Sequence, residues 1–153
     1  INRVYVHVPF CSAKCGYCAF HSIPNPEDDV IDSYLRKLEQ VVIDVLRDNF
    51  GLNAYRKKDM TGVWVGPYKV ASIGIGVRHW VTYHGLTLNV KVDKKFFSMI
   101  KPCGMDVKMA SLNDFFDDEV SFESVKEMLI ESIKEIFGFR SIGGHENGKS
   151  LFA

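Results

Sequence analysis

The feature that most constrains the fold is a change, at Gly51, in the spacing of apolar residues. Ahead of this glycine they recur every three or four residues, as in a helix that buries one face. That stripe consists of Val30, Tyr34, Leu38, Val41, Val42 and Val45. From residue 53 to 90 the spacing becomes two, as in strands whose alternate side chains face the core. Short turns, KKDMT and GPY, divide the first of these strands, so we expect one long helix followed by a locally antiparallel meander.

Local signals set the expected bounds of these elements. Asn25 can cap the long helix, Pro26 suits its first turn, and Gly51 can end it as a left-handed residue. Expected strands cover residues 4–8, 53–56, 62–65, 69–77, 79–84 and 86–90, the last two forming a pair across Gly85. Two further helices are expected over residues 93–100 and 121–138. The sequence therefore predicts an α+β domain with an antiparallel or mixed sheet and two main helices.

Composition excludes several classes of function. Nineteen basic residues balance nineteen acidic ones without a Lys/Arg block, so the electrostatic signature of a nucleic-acid or anionic-membrane binder is missing. The longest apolar runs, such as residues 41–46, are far shorter than the roughly 20 residues that span a bilayer. The opening residues do not resemble a secretory signal. We therefore expect a cytoplasmic protein with reduced cysteines that binds neither nucleic acid nor membrane.

Three of the four cysteines are crowded into the stretch HVPFCSAKCGYCAF, residues 7–20. Cys11, Cys15 and Cys18 have the spacing CxxxCxxC, and thiolates that converge from one compact loop are suitable ligands for an iron–sulfur cluster. Three ligands on a four-iron cluster leave one iron open to a reacting molecule, as in catalytic metal sites. A zinc loop or a set of reactive thiols would use the same spacing, so spacing alone leaves these alternatives open.

The same stretch resembles a known cluster loop. YVHVPFCSAKCGYCAF, residues 5–20, is similar to the loop of radical S-adenosylmethionine enzymes, in particular the oxygen-independent coproporphyrinogen oxidase group. This resemblance implies a 4Fe–4S cluster on the three cysteines, with S-adenosylmethionine bound to the open iron. It covers residues 1 to about 31, and the later chain lacks the repeated strand–helix units from which that family builds its partial barrel.

The fourth cysteine, Cys103, stands alone between Pro102 and Gly104. A free thiol has a pKa of about 8.5 and becomes a good nucleophile when a nearby cation or base lowers it. Pro102 stiffens the approach to this thiol, and Gly104 leaves space for an acyl group. A single cysteine is nevertheless more often an inert core residue, and most lysines, Lys69 included, are expected to be solvated surface charges. The residues alone leave both interpretations open.

A longer resemblance favours the nucleophile. Residues 61–112 contain, in order, GVWV, KVASIG, HGLTLNV, PCG and a closing Ser-Leu. This order is similar to the second half of the lipoyl(octanoyl) transferases, acyltransferases related to biotin protein ligases, and the similarity extends over residues from about 32 to 153. It implies a fold of the biotin-protein-ligase and lipoyl-transferase type. It also implies that Cys103 accepts an octanoyl group from acyl-carrier protein and that Lys69 is the paired acid/base.

The resemblance also implies the partners and the binding residues. The acyl group would pass to a lysine of a lipoyl-domain protein, and no cofactor is needed because a thioester exchanges with a thiol and then yields a more stable amide. The segments that line the pocket in this family carry Ser72, Gly74, His84, Gly85 and Asn89, with Gly104 beside the thiol. A simple packing role is the alternative for each of these residues.

The two resemblances divide the chain into residues 1–24, a cysteine-loop segment, and residues 25–153, an octanoyltransferase-like half-domain. Transferases of this family have a preceding half that forms much of the acyl pocket. Nothing in this chain resembles that half. We therefore expect an incomplete fold with an open pocket. Three functions follow as hypotheses: octanoyl transfer through Cys103, a cluster-dependent radical enzyme fragment, or a non-catalytic fusion fragment.

Overall fold

A computed structural model of the chain describes residues 2–5, 28–78, 81–93, 95 and 107–138. Several predictions concern other parts of the chain. The cysteine loop, the helix cap at Asn25 and Pro26, and most of the helix expected over residues 93–100 lie outside the described residues. Cys103 and Gly104 lie outside them as well.

The described residues form an antiparallel sheet with two long helices. In chain order the elements are β1 (Asn2–Tyr5), α1 (Asp28–Phe50), β2 (Ala54–Lys57), β3 (Met60–Val65), β4 (Tyr68–Arg78), β5 (Val81–Lys91), a 3₁₀ helix (Leu112–Phe115) and α2 (Phe122–Phe137). The five strands lie in the order β1-β5-β4-β3-β2, and each neighbouring pair is antiparallel. The predicted α+β class, with its antiparallel sheet and two main helices, is confirmed.

Helix α1 follows the predicted apolar stripe. Its members Leu38, Val41, Val42 and Val45 are buried, and the helix ends where the sequence predicted its end. Gly51 has a φ of 65°, and its N–H donates to the carbonyl of Arg47 at 3.1 Å. A glycine accepts this left-handed conformation without a Cβ clash, so the chain can turn directly into β2.

Strand β5 differs from the prediction. The sequence indicated two strands that meet at Gly85, whereas the structure has one continuous strand in which Gly85 pairs with Gly74 of β4. The irregular residue is His84, whose φ of 73° is rare for a non-glycine residue. A glycine between two alternating runs is typical both of a turn and of a strand with a close approach, and here the second interpretation is correct.

The core lies between the two helices and one face of the sheet. Residues of β3, β4 and β5 that alternate along their strands pack with α1 and α2. The buried sheet residues of this face are Val63, Val65, Ala71, Ile73, Ile75, Leu86, Leu88 and Val90. The helices also contact each other, since the hydroxyl of Ser132 donates to the carbonyl of Val41 at 3.3 Å. We call this surface of the sheet the core face and the opposite surface the site face.

The segment before the 3₁₀ helix is fixed by side-chain hydrogen bonds. Ser111 is buried, its hydroxyl accepts from the N–H of Val92 at 3.0 Å, and its own N–H donates to the Asp114 carboxylate at 2.8 Å. A serine and an acidic residue three positions later often start a helical turn in this way. This turn was not predicted from the sequence, and its bonds hold Ser111 against the end of β5.

Candidate active site

Lys69 occupies an irregular point in the pairing of β3 with β4. Val63 pairs with Ala71, whereas the next residue, Trp64, pairs with Lys69, so Val70 is an extra residue on β4. A bulge of this kind reverses the face on which the side chains beyond it lie, and bulges often adjust the direction of a functional side chain. Lys69 therefore shares the site face with Trp64, although Ala71, two residues later, lies on the core face.

The side chain of Lys69 is buried, with 1% of its surface exposed, contrary to the expectation that it is a solvated surface charge. Its Nζ donates to the carbonyl oxygen of Thr61 at 2.9 Å and lies 5.1 Å from the ring centroid of Trp64. A buried ammonium requires such polar or π contacts to offset its lost hydration. The side chain crosses β3 directly over Gly62, where a Cβ would lie 2.5 Å from the Lys69 Cε.

The backbone of Lys69 binds the segment that follows the predicted nucleophile. Its N–H donates to the carbonyl of Lys108 at 2.8 Å, and its carbonyl accepts from the N–H of Ala110 at 3.1 Å. These two bonds form an isolated parallel bridge between Lys69 and Met109. Cys103 precedes Met109 by six residues in the sequence. The chain that carries the cysteine therefore runs, a few residues later, alongside the backbone of the buried lysine.

Four predicted binding residues lie on the site face with Lys69. Ser72 pairs with Thr87 and Gly74 pairs with Gly85, so the glycine pair presents no side chain on this face of β4 and β5. Asn89 follows on the same face of β5, where its amide donates to the carbonyl of Ala110 at 3.1 Å. That bond makes Asn89 a support for the segment beside Lys69. Its predicted role in binding substrate stays a prediction.

His84 differs from these four residues. It pairs with Ile75, a fully buried residue of the core face, and it has the positive φ described above. The binding role of His84 remains a prediction, as do the roles of Cys103 and Gly104, which lie outside the described residues.

Glu39, a fully buried carboxylate on α1, was not predicted from the sequence. Its Oε2 accepts from Arg36 at 2.9 Å and from Arg56 at 3.0 Å, and its Oε1 accepts from the backbone N–H of Gly62 at 2.9 Å. Partial burial opposes the charge on Arg36, but the hydrogen bond and charge of Glu39, together with Asp32, outweigh burial and raise the pKa of this guanidinium. The sequence signal for this buried carboxylate is a glutamate next to Leu38, within the apolar stripe of the helix.

Metal-binding clusters and membrane-spanning helices are both absent from the described parts of the chain. These parts contain no group of three or more His, Cys, Asp or Glu side chains that could hold a metal ion. Their helices also include none that is both long enough and apolar enough to cross a membrane. Cys11, Cys15 and Cys18 lie outside the described residues, so the predicted cluster stays a prediction.

Comparison with known proteins places most of the chain in one family of sequences. Residues 17–134 match the family described as the lipoyl protein ligase A/B catalytic domain. An octanoyltransferase of Prochlorococcus marinus is 45% identical over 109 residues, which are 71% of this chain and 48% of that protein. An octanoyltransferase of a Synechococcus species is 44% identical over 111 residues, which are 72% and 42% of the two chains. The chain thus spans about half the length of the curated relatives it matches.

Solved structures support the predicted fold type. A bipartite lipoate protein ligase of Thermoplasma acidophilum, described with its E2 lipoyl domain, has a TM-score of 0.58 at 22% identity, over 71% of this chain and 46% of that one. The apo biotin protein ligase of Aquifex aeolicus has a TM-score of 0.58 at 15% identity, over 75% and 50% of the two chains. Identities this low show the fold alone. The predicted biotin-protein-ligase and lipoyl-transferase type of fold is confirmed.

The comparisons bear unequally on the three functional hypotheses. The relatives described above carry the name octanoyltransferase, which supports the first hypothesis and gives no support to the radical enzyme fragment or to the non-catalytic fusion fragment. The family match begins at residue 17, ahead of the boundary predicted after residue 24. That division of the chain stays a prediction.

Proposed function

The chain belongs to the lipoyl protein ligase A/B catalytic domain family, and from this membership we propose that it transfers octanoyl groups from acyl-carrier protein to a lysine of lipoyl-domain proteins. The acyl group is carried between the two as a thioester on Cys103. The observation that carries the proposal is the buried ammonium of Lys69, held beside the segment that leads away from Cys103. The names of the matched octanoyltransferases support the reaction class.

The first half-reaction exchanges one thioester for another. The Cys103 thiolate attacks the carbonyl carbon of the octanoyl thioester, a new C–S bond forms, and the C–S bond to the carrier breaks. The carrier sulfur leaves and takes a proton, so it departs as a thiol. Because the bonds broken and formed are of the same kind, this step is nearly balanced in free energy and needs neither ATP nor a metal.

The second half-reaction forms the amide. The amine of the target lysine attacks the acyl carbon on Cys103, loses a proton, and displaces the cysteine sulfur. An amide is more stable than a thioester, so this step makes the whole transfer favourable. Both half-reactions require an acid/base group that takes a proton from one sulfur or nitrogen atom and gives a proton to another. General acid–base catalysis of this kind accelerates a reaction by about 10² to 10⁴.

Lys69 has the properties that this proton transfer needs. An ammonium near a thiol favours the thiolate, which is the nucleophilic form. Burial disfavours the charged form of an amine, so a buried ammonium gives up its proton more readily than a solvated one. The Thr61 carbonyl and the Trp64 ring hold the ammonium in one place, which limits the reorganisation needed when charge develops on the sulfur.

The paired glycines offer a place for the acyl chain. Gly74 and Gly85 lie opposite each other on the site face, with Ser72 and Thr87 on the neighbouring pair. We assign the octanoyl chain to this pair of glycines, because neither residue presents a side chain of its own to the apolar methylenes. Gly104 would leave room beside the thioester for the same reason, and Asn89 lies on the same face as the glycine pair. His84, which pairs with a residue of the core face, stays a predicted binding residue.

The proposed partners follow from the reaction and from the relatives. Octanoyl-acyl-carrier protein supplies the thioester, and a lipoyl domain supplies the lysine. The Thermoplasma ligase described above was studied with its E2 lipoyl domain, which supports an acceptor of this kind for this fold.

Mass spectrometry tests the proposal directly. After incubation with octanoyl-acyl-carrier protein, the peptide that contains Cys103 should gain the mass of one octanoyl group, and subsequent addition of a lipoyl domain should remove it. A Cys103→Ser variant should gain none, whereas Cys18→Ser should behave as the wild type. An unmodified Cys103 peptide in the wild-type protein would contradict the proposal.

A further inference from the structure

Glu39 is a buried charge that the proposed reaction does not use. Its carboxylate is fully buried on α1 and accepts three hydrogen bonds. Removing a carboxylate from water is costly unless cations and hydrogen bonds replace the lost hydration. Arg36 and Arg56 both bind Oε2 and neutralise its charge, and the guanidinium of Arg56 is itself fixed by the side chain of Gln40 at 2.7 Å. The second oxygen, Oε1, is thereby directed at the backbone of β3.

The group that Oε1 binds is the peptide group that also binds Lys69. The N–H of Gly62 donates to Oε1 at 2.9 Å, and the carbonyl of Thr61 accepts from Nζ of Lys69 at 2.9 Å. This N–H and this C=O belong to the single peptide unit that joins Thr61 to Gly62. A peptide unit is planar, and in the trans form its N–H and C=O point in opposite directions. Glu39 and Lys69 therefore hold opposite ends of one rigid group.

Two physical effects couple the carboxylate to the ammonium through this peptide. The first is geometric, because the orientation of the N–H fixes the direction in which the Thr61 carbonyl points. The second is electronic, because a carboxylate bound to the N–H polarises the peptide and strengthens the bond that its carbonyl accepts. Gly62 makes the arrangement possible, since a Cβ there would lie 3.1 Å from Nζ and 2.5 Å from Cε of Lys69.

We propose that Glu39 is a positioning residue for Lys69, acting through the Thr61–Gly62 peptide to fix the ammonium and to favour its protonated form. The inference rests on the proposed function, in which Lys69 moves protons during acyl transfer. Among the residues that the structure describes, the charged groups in contact with this unit include Arg36 and Arg56 at Glu39. They also include Lys57, whose Nζ lies 5.5 Å from the ring centroid of Trp64, the ring that Lys69 also contacts.

Titration of Lys69 by NMR tests the inference without any acyl transfer. In protein labelled with ¹³C-lysine, the Cε shift of Lys69, assigned by its loss in Lys69→Arg, reports the protonation of its amine. Glu39→Gln keeps an oxygen for the Gly62 N–H but removes the charge. In this variant Lys69 should lose its proton at a lower pH than in the wild type. At a given pH below the midpoint, the fraction of neutral Lys69 should therefore rise by about threefold to tenfold. Glu135→Gln, which removes an exposed charge from α2, should leave the titration unchanged.

The pH profile of acyl transfer gives the second readout. In Glu39→Gln its Lys69-dependent limb should move in the same direction as the NMR titration, which lost stability alone would not produce. If Glu39→Gln fails to fold, the double variant Glu39→Gln with Arg56→Gln buries no unpaired charge, and its titration is compared with that of Arg56→Gln alone. An unchanged Lys69 titration in the folded variants would overturn the inference.

The two readouts also separate this inference from the proposed function. A shifted Lys69 titration in a protein that forms no octanoyl adduct would refute the proposed acyl transfer and support the coupling of Glu39 to Lys69. An active enzyme whose Lys69 titrates identically with and without the Glu39 charge would refute the coupling alone.

Discussion

Replacement of Gly62 by alanine should damage both the fold and the proposed site, and the size of the effect follows from the geometry. An alanine Cβ would lie 2.5 Å from Cε of Lys69 and 2.6 Å from the carbonyl oxygen of Ala71. The lysine side chain can move away, but the Ala71 oxygen belongs to the backbone of β4 and is held in the sheet. In addition, Gly62 has a φ of 137°, which an L-residue rarely adopts. Both the strand and the lysine therefore have to move.

The expected cost is large compared with the whole stability of a domain. Overpacking of a dense region costs about 1–3 kcal/mol, and backbone strain of this kind costs about 1–3 kcal/mol more. The free energy of unfolding should thus fall by about 2–6 kcal/mol out of the 5–15 kcal/mol that is typical of domains. Displacement of the Lys69 amine should also slow acyl transfer by about 10² to 10⁴, the usual contribution of acid–base help.

Gly66→Ala is the matched control. Gly66 has a φ of 55°, but a Cβ there would meet nothing within 4 Å, so this change adds strain without a clash and should cost about 1 kcal/mol. Urea denaturation and the rate of octanoyl transfer would be measured for both variants. If Gly62→Ala and Gly66→Ala were equally stable and equally active, the placement of Lys69 over Gly62 would be refuted.

Three further outcomes are expected. Lys69→Met, which keeps the volume of the side chain, should leave the protein folded by circular dichroism and lower octanoyl transfer by about 10² to 10⁴; transfer at the wild-type rate would exclude Lys69 as the acid/base. Asn89→Ala should lower the free energy of unfolding in urea by about 1–3 kcal/mol, because the carbonyl of Ala110 loses a buried donor; an unchanged midpoint would show that this bond contributes nothing. The hydrogen bond that Arg47 donates to Asp48 holds the pKa of this carboxyl below its usual value, because it outweighs desolvation. The positive charge of Arg47 acts in the same direction. This pair therefore adds stability above the unfolded-state pKa of Asp48, and that stability is lost as the pH falls through the folded-state pKa. Arg47→Ala should return the pKa of Asp48 to the ordinary aspartate range in an NMR titration, and no change would contradict the pairing.

The sequence predicts well those features that depend on one segment alone. The apolar stripe of α1 and the left-handed Gly51 are local, so period and capping rules found both. Continuity of β5 through Gly85 depends on its partner Gly74 in β4, and a glycine within an alternating run is ambiguous when only its own strand is considered. Pairing across strands was therefore the information that the sequence lacked.

The same distinction between local features and pairing across strands applies to the candidate site. Family resemblance singled out Lys69, but its burial and its direction depend on the extra residue Val70 in the pairing of β4 with β3. Such a bulge is defined by two strands and leaves no sign in either one. Glu39 was missed for the opposite reason, since its place in the buried stripe of α1 was visible in the sequence. An acidic residue in such a position predicts a buried ion pair or a hydrogen bond to a distant backbone group.

The proposed function requires that the buried ammonium of Lys69 activates the thiol of Cys103. The rate of Cys103 alkylation by iodoacetamide, measured against pH by peptide mass spectrometry, tests it most directly because only the thiolate reacts. In the wild type the rate should reach half its maximum well below a pH of about 8.5, the ordinary value of a free thiol, and in Lys69→Met this midpoint should rise. A midpoint at the ordinary value in both proteins would show that Lys69 does not activate this thiol.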